Sequence, residues 1–456
     1  MDIGTLSLIL LLGMLVLLAI GMPLGFASGF LAVAVLMMKF GPDLLFRSFG
    51  TGPLNILAQR IYGLTTDYVI ISVPLFIFMA SLLERSGIAN DMYNSLNIWL
   101  SRTRGGIAIV TAIMAIIMAA MSGIIGGEVV LLGLIALPNM LRLGYNQNLA
   151  IGTICASGSL GTMIPPSIVL IIYGLVTETS IHALFKAAFL PGFILAGLYI
   201  IYIMIRTRLH PEQAPLPEGG GDVLFSDKIK ALPGLIPPLL VVFVVLGSIY
   251  GGITGITEAA GMGTVAVLLL IVLRREMSLV LLREALMRTF KSTGTILWVT
   301  FGATALAGAY SIAGGPNYVA NLIVGWELPT MSIILAMMLI FLFLGAFMDW
   351  TGIVLLVMPV FLPIVLKLPV AELGLTGGLA DQARLVSVWF GILFCVNMQV
   401  SFLSPPFGPA AFYLKSVAPP YISLPDIFRG FLPFIGIQLL VLALILCVPE
   451  ITIIFL

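Results

Sequence analysis

Charged residues are scarce in this sequence, and the scarcity decides what class of protein it encodes. Only 9% of the 456 residues are Asp, Glu, Lys or Arg, whereas soluble domains have about a quarter. Because 60% of the residues are hydrophobic, the chain cannot cover a water-exposed surface, which excludes a soluble enzyme and a disordered chain. The net charge of +1 provides no basic field that would attract nucleic acid. The composition indicates a protein embedded in a lipid bilayer.

Residues that build metal and redox sites are equally few. Two histidines and three cysteines, without a CxxC pair, support neither a zinc site nor a disulfide framework. The patterns GxxxxGK[ST] and HExxH are absent, so ATP binding and metalloprotease chemistry are not expected. Gly219-Gly-Gly-Asp222 matches the GxGD pattern of intramembrane aspartyl proteases, but it lies in a polar stretch. We therefore expect no enzymatic activity, and transport driven by an ion gradient.

Long apolar runs predict an all-α polytopic membrane protein, and two of the runs are unusual. A spanning helix needs about 20 apolar residues, and the chain has room for about a dozen, beginning with a retained N-terminal helix. Two short runs in 106–142 flank the glycine-rich tip 122–127 and have arginines at both outer ends, which predicts a re-entrant helical hairpin. The run 146–177 is too long for one span, and Pro165-Pro166 predicts a break at its centre.

The second half contains the same devices in the same order, which predicts an internal duplication. The matching pairs are Glu128 and Asp349, Cys155 and Cys395, Ser157 and Asn397, and Pro165-Pro166 and Pro405-Pro406. Repeat 1 is predicted over 1–205, with a hairpin at 106–142 and a broken helix at 146–177. A cytoplasmic linker is predicted over 206–231. Repeat 2 is predicted over 232–456, with a hairpin at 332–366 and a broken helix at 385–417.

The distribution of basic residues predicts the orientation of the two repeats. Five crossings and one hairpin place the ends of repeat 1 on opposite sides, so repeat 2 is inverted. With the linker in the cytoplasm, most Lys and Arg residues face inward and both termini lie in the periplasm. Paired broken helices in inverted repeats are typical of secondary transporters with a site near the midplane. Two amphipathic stretches, 42–62 and 279–290, are predicted to lie in the interface plane.

Small and polar residues at the two hairpin tips and the two breaks are the candidates for chemistry. Exposed carbonyl and hydroxyl oxygens are hard ligands suited to Na⁺, although small residues also serve close helix packing. Asp349 is either a Na⁺ ligand or the cap of the helix that follows it, and Glu128 has the same two readings. The amides Asn397 and Gln399, in the second broken helix, are plausible ligand contacts.

Three stretches carry a resemblance to a known family. Ser157-Gly-Ser-Leu-Gly-Thr-Met-Ile-Pro-Pro-Ser-Ile-Val-Leu-Ile-Ile-Tyr-Gly174 is similar to the signature of the large membrane (DctM-like) subunit of tripartite ATP-independent periplasmic (TRAP) transporters. Gly255-Ile-Thr-Glu-Ala-Ala260 and Met121-Ser-Gly123 are similar to further motifs of that family. The stretches 347–352 and 399–408 resemble its branch labelled mannitol/chloroaromatic.

The resemblance implies a Na⁺-coupled importer in a bacterial inner membrane, working by an elevator mechanism. It implies a separate small membrane subunit and a periplasmic substrate-binding protein that delivers a small organic anion, commonly a carboxylate or sulfonate. By motif, the first ion site takes Ser122, Gly123, Ser157, Gly158, Pro165 and Pro166. The second takes Gly345, Asp349, Ser404, Pro405 and Pro406. Substrate contacts are expected at Ser159, Asn397, Gln399 and Ser401.

Two other functions compete with this one. A self-sufficient, ion-coupled transporter of organic anions would have the same inverted repeats and would need no binding protein. A membrane enzyme or assembly scaffold would move no substrate under a Na⁺ gradient.

Overall fold

The computed structural model describes residues 2–41, 52–100, 102–123, 126–216, 225–375 and 379–456. Over these ranges all regular structure is helical, as expected where lipid offers the backbone no hydrogen-bond partners. Three features singled out in the sequence lie outside the described residues: part of the stretch 42–62, tip residues 124–125 and the 219–222 motif.

Several helices are long and apolar enough to cross a bilayer. In the described part of the chain these are Tyr68–Arg85, Ile181–Leu209, Ile256–Leu273, Leu279–Ile312, Asp381–Leu403 and Leu424–Cys447. Phe225–Gly234 and Ile236–Tyr250, which are bent by 50° relative to one another, are long and apolar enough only when taken together. Shorter apolar helices, among them Ile3–Ala19 and Leu24–Phe40, pack beside them. The chain is a multi-pass membrane protein, as its composition predicted.

The hairpin and the broken helix predicted for the first half are both present in the structure. Hairpin 1 consists of Gly106–Ser122 and Gly127–Arg142, and broken helix 1 consists of Gln147–Gly158 and Ile168–Thr177. The break falls at Pro165-Pro166 because proline has no backbone N–H to continue the helical ladder. The peptide bond between the two prolines is cis.

The second half repeats this arrangement. Hairpin 2 consists of Thr330–Gly345 and Trp350–Val365, and broken helix 2 consists of Leu379–Leu403 and Pro409–Lys415. The Pro405-Pro406 bond is also cis. The predicted fold class, an all-helical membrane protein whose halves each contain a hairpin and a discontinuous helix, is confirmed.

The remaining helices complete the two halves. In the first they are Ile3–Ala19, Leu24–Phe40, Pro53–Thr66, Ser72–Arg85, Ile88–Leu100 and Ile181–Leu209. In the second they are Phe225–Ala231, Ile236–Tyr250, Ile256–Leu273, Leu279–Ile312, Gly315–Val324, Leu424–Cys447 and Glu450–Ile453.

The prediction of a separate interfacial segment at 279–290 was wrong. It is continuous with the span that follows, and together they form one helix of 34 residues, Leu279–Ile312, here called the arm helix. Ser278 caps its start by accepting a hydrogen bond from Leu281 N at 3.1 Å, and no proline or glycine interrupts it before Gly294. Its length of about 51 Å exceeds the hydrocarbon thickness, so its basic first turns extend beyond the lipid core.

The arm helix packs closely on helix Leu24–Phe40 of the other half. A side chain at Gly302 would collide with the carbonyl oxygen of Gly25 and with Ser28 Oγ, so only glycine allows this approach. The repeat-related interface is built the same way, since Gly263 lies against Met79 and Val245. Close helix contacts at glycine therefore join the two halves in two places.

Ion pairs join the halves at the end that the sequence predicts to be cytoplasmic. Arg85 pairs with Glu284, and Arg288 pairs with Glu84, which is nearly buried. In the loop before the arm helix, Arg274 binds Glu276 at 2.8 Å and also binds Asp91. These hydrogen bonds, led by the one to Glu276, raise the pKa of Arg274. These pairs tie helices Ser72–Arg85 and Ile88–Leu100 to the arm helix and the loop before it.

Candidate functional site

The tip of hairpin 1 contacts the break of broken helix 1. Gly123 ends the first hairpin helix with φ of 59°, a left-handed conformation that favours glycine. Its carbonyl oxygen accepts a hydrogen bond from Ile168 N at 3.2 Å, across the break. A side chain at this position would collide with the carbonyl oxygen of Pro166. The two elements predicted to form the first ion site are therefore in direct contact.

A buried carboxyl group stands beside this tip. Glu128, in the first turn of the second hairpin helix, is only 1% exposed, and its Oε1 accepts a hydrogen bond from Ser122 Oγ. No described donor reaches its Oε2.

Ser157 and Gly158 end the first half of broken helix 1. The Ser157 hydroxyl is fully buried and has no hydrogen-bond partner among the described residues. A Cβ on Gly158 would lie 3.2 Å from Val129 N and Cα, so the helix end packs on hairpin 1. Pro165 and Pro166 are buried in the break that follows.

Hairpin 2 meets broken helix 2 in the corresponding way. Gly345, at the end of the first hairpin helix, lies so close to Ser401 that a side chain there would collide with the serine hydroxyl. Asp349 caps the second hairpin helix by accepting a hydrogen bond from Gly352 N at 3.2 Å, so its predicted role as a helix cap is confirmed. Its side chain is exposed on a cavity.

Broken helix 2 offers further oxygen atoms near its break. Asn397 donates from Nδ2 to Met338 O at 3.0 Å, and its Oδ1 has no partner within the described ranges. Ser401 and Ser404 donate to backbone carbonyls of their own helix, at 3.2 and 2.8 Å.

Ser159 and Gln399 lie in one buried network. The two residues are 240 positions apart, which is the repeat offset, and the Ser159 hydroxyl donates to Gln399 Oε1. Gln399 Nε2 donates to Ser159 O at 2.7 Å and to Thr162 Oγ1. Repeat counterparts that touch in this way place the pseudosymmetry axis between the two broken helices.

A cavity of about 670 Å³ lies between the two hairpin tips. The residues around it that matter most here are Gly123, Gly345, Asp349, Ser401, Ser292 and Tyr413. None of its described lining residues is Lys or Arg. Hydroxyl groups and helix ends are therefore the groups that can hold a small anion in it.

The structure brings some predicted residues to this cavity and places others elsewhere. Gly123, Gly345, Asp349 and Ser401 line it, whereas Ser159 and Gln399 are in the buried network beside it. The other predicted residues do not line it and lie at the hairpin 1 tip and in or near the two breaks: Ser122, Ser157, Gly158, Pro165, Asn397, Ser404 and Pro405.

Among the lining residues that sequence reasoning missed are Ser292, Thr295 and Tyr413. The first two belong to the polar run 291–295 in the middle of the arm helix, a signal that was available in the sequence. Tyr413 follows the second break by only a few residues, where an aromatic side chain gives no comparable signal.

Three of the buried oxygen atoms that have no hydrogen-bond partner among the described residues belong to the hairpin 1 tip and the two broken helices: Glu128 Oε2, Ser157 Oγ and Asn397 Oδ1. Carboxylate, hydroxyl and amide oxygens are the hard ligands that Na⁺ requires, and leaving them unpaired in the protein interior costs free energy.

Comparison with known proteins identifies the family. Residues 11–451 match the model of the tripartite ATP-independent periplasmic transporter, DctM component. The chain belongs to this family. As a DctM component it is the large permease of a tripartite transporter, and it is a transport protein and not an enzyme.

Relatives of this DctM component are named after different substrates. The chain is 28% identical to the C4-dicarboxylate TRAP transporter large permease protein DctM of Pseudomonas aeruginosa, over 92% of each chain. It is 28% identical to the ectoine large permease TeaC of Halomonas elongata and 27% identical to the sialic acid large permease SiaM of Vibrio cholerae, each over 96% of both chains.

A solved structure shares the fold. The Alcanivorax borkumensis YdaH transporter, described as having an unusual topology, aligns with a TM-score of 0.54 at 16% identity, over 89% of this chain and 87% of that one. At this identity the likeness concerns the fold alone.

Proposed function

We propose that this DctM component imports a small organic anion, a carboxylate or a sulfonate, across the bacterial inner membrane by coupling to Na⁺. In this proposal the anion comes from a periplasmic substrate-binding protein, and a small membrane subunit completes the complex. One observation carries the proposal: both hairpin tips border a single cavity, and each tip contacts the break of its own half.

Two groups of residues are proposed to hold Na⁺. The first is Ser122, Gly123, Ser157, Gly158 and Pro165, and the second is Gly345, Asp349, Ser404 and Pro405. The unpartnered Ser157 hydroxyl supports the first group, and the carboxylate of Asp349 at the cavity supports the second. Bound Na⁺ would supply positive charge beside the anion. The chain's own contribution is to hold carbonyl and hydroxyl oxygens in place at the two breaks.

The anion is proposed to bind between the tips. Ser401 lines the cavity and is the proposed direct contact, whereas Asn397, Ser159 and Gln399 do not line it. Ser159 and Gln399 donate their hydrogen bonds within their own network, so in this arrangement they hold the two broken helices together beside the anion. Serine hydroxyls and amide N–H groups donate hydrogen bonds to an anion, and the N-terminal end of a half-helix favours negative charge. Because the described lining lacks Lys and Arg, selectivity among anions is expected to reside largely in the binding protein.

Reconstitution in proteoliposomes tests the proposal. An inward Na⁺ gradient should drive uptake of a radiolabelled organic anion only when the chain, its small membrane subunit and the loaded binding protein are all present. Replacing Na⁺ by choline should abolish uptake. Uptake by the chain alone would instead support a self-sufficient transporter, and absence of Na⁺-driven uptake with all three components would overturn the proposal.

A further inference from the structure

Glu128 and Asp349 are repeat counterparts that have different environments. Each follows a hairpin tip and precedes a proline by ten positions, at Pro138 and Pro359. Asp349 is an exposed helix cap, bonded to Gly352 N. Glu128 caps nothing: the cap position of its helix is Gly126, which makes no side-chain hydrogen bond. Helix capping therefore explains Asp349 and leaves the burial of Glu128 unexplained.

The surroundings of Glu128 supply too little compensation for a buried carboxylate. Its single described hydrogen bond comes from Ser122, and Oε2 has no described partner. The nearby guanidinium of Arg288 is already paired with Glu84, a second acid, which is nearly buried. A carboxylate removed from water needs a positive charge or further donors to be stable. A small cation at Oε2 would provide that charge.

A second unpartnered oxygen lies on the element that packs against Glu128. Ser157 Oγ is fully buried and lacks a described partner. The next residue, Gly158, packs on the backbone of Val129, which is the residue after Glu128. Glu128 and Ser157, each with a buried oxygen that has no described partner, are therefore the chain neighbours of the two residues that form this contact.

We propose that the Glu128 carboxylate is a ligand of a Na⁺ held between hairpin 1 and broken helix 1, together with Ser157 Oγ. The inference rests on the proposed Na⁺ coupling and adds the charged ligand of the first ion site. Ser122 Oγ, by donating to Oε1, orients the carboxylate so that Oε2 remains free for the cation. One negative charge balances one positive charge, so the loaded site is electrically neutral within the membrane.

Thermal unfolding of the purified chain in detergent tests this ligand without relying on transport. The midpoint temperature is measured while NaCl replaces choline chloride at constant ionic strength, because a ligand that binds the folded state raises it. Wild-type protein should be stabilised by Na⁺. Glu128→Gln keeps the size of the side chain and its bond to Ser122, and it should raise the Na⁺ concentration for half-maximal stabilisation at least tenfold.

Glu258→Gln is the matched control, since Glu258 is also in the first turn of an apolar helix, Ile256–Leu273, but away from the hairpins. Its Na⁺ titration should equal that of wild type. A Glu128→Gln titration equal to wild type would overturn the proposed ligand while leaving Na⁺ coupling intact. A wild-type protein that does not respond to Na⁺ would overturn both.

Glu128→Asp covers the case in which the glutamine variant does not fold. The shorter side chain retains the charge but withdraws it from the contact, so a weakened Na⁺ response is expected. An unchanged response from this variant would equally overturn the inference.

Discussion

At the scale of single residues, neighbouring polar positions along the broken helices differ in whether their side chains have hydrogen-bond partners. Ser157 and Asn397, which are repeat counterparts, each retain a buried oxygen with no described partner. Two positions further along, Ser159 and Gln399 bind one another, and the glutamine also binds Thr162. The first pair is available to a ligand, whereas the second pair holds the two broken helices together.

Gln399→Leu should therefore destabilise the protein. The substitution leaves Ser159 and Thr162 without their buried partner, and this should lower the free energy of unfolding by about 1–3 kcal/mol. The measurement is the midpoint of thermal unfolding in detergent. Gln59→Leu, at an exposed position, should change it little. Equal stability of Gln399→Leu and wild type would contradict a structural role for the network.

Two substitutions at Asp349 separate capping from ion binding. Asp349→Asn keeps an oxygen that can accept from Gly352 N, so stability should be retained while the Na⁺ dependence of uptake weakens. Asp349→Ala removes the cap as well, and it should cost about 1 kcal/mol of stability in addition. Unfolding midpoints and uptake at varied NaCl check both. Normal Na⁺ dependence in both variants would remove Asp349 from the second ion site.

At the scale of elements, breaks and tips were predictable but helix extents were not. Proline pairs and glycine-rich tips act through local backbone chemistry, so their consequences at Pro165 and Gly345 could be read from the sequence. The arm helix was divided wrongly because its amphipathic start was taken as a separate segment. Helices Ile88–Leu100 and Gly315–Val324 were missed, since their polar residues conceal the apolar face that packs on neighbours.

Only those parts of the candidate site that depend on local sequence were predicted. Hydroxyls and amides beside the breaks could be named, but their burial could not, because the contact between Ser159 and Gln399 depends on how two distant halves pack. The same limit applies to Glu128, whose burial against Ser157's helix follows from tertiary structure.

Substitution by alanine is expected to have opposite effects on stability at two glycines of the arm helix. Gly302→Ala would push a methyl group into the carbonyl oxygen of Gly25 and should destabilise the protein by about 1–3 kcal/mol. Gly294→Ala meets open space and should be neutral or stabilise by up to about 1 kcal/mol through helix propensity. Thermal unfolding of both variants distinguishes the two effects. Similar midpoints would mean that the halves do not pack here.

At the scale of the whole molecule, the ion pairs between the halves define one face. Arg85, Arg274 and Arg288 form their pairs at the end of the arm helix that is nearer the linker. Basic residues are retained on the cytoplasmic side during insertion, so we expect both termini on the opposite, periplasmic side.

Labelling of introduced cysteines tests this orientation. With Cys447, the exposed free cysteine, replaced by serine, Ile454→Cys should react with a membrane-impermeant maleimide in intact spheroplasts. Glu212→Cys, in the linker, should react only after the membrane is permeabilised. The reverse pattern would invert the assigned topology.

The two breaks share a Pro-Pro pair but differ in their access to solvent. Ser167, after the first, is fully buried, whereas its counterpart Phe407, after the second, is 42% exposed. Two inverted copies are related by a two-fold axis, so exchanging their environments gives a second arrangement of the same chain, and the structure shows one of the two. In the proposed transport cycle, that exchange would open the cavity to the opposite compartment.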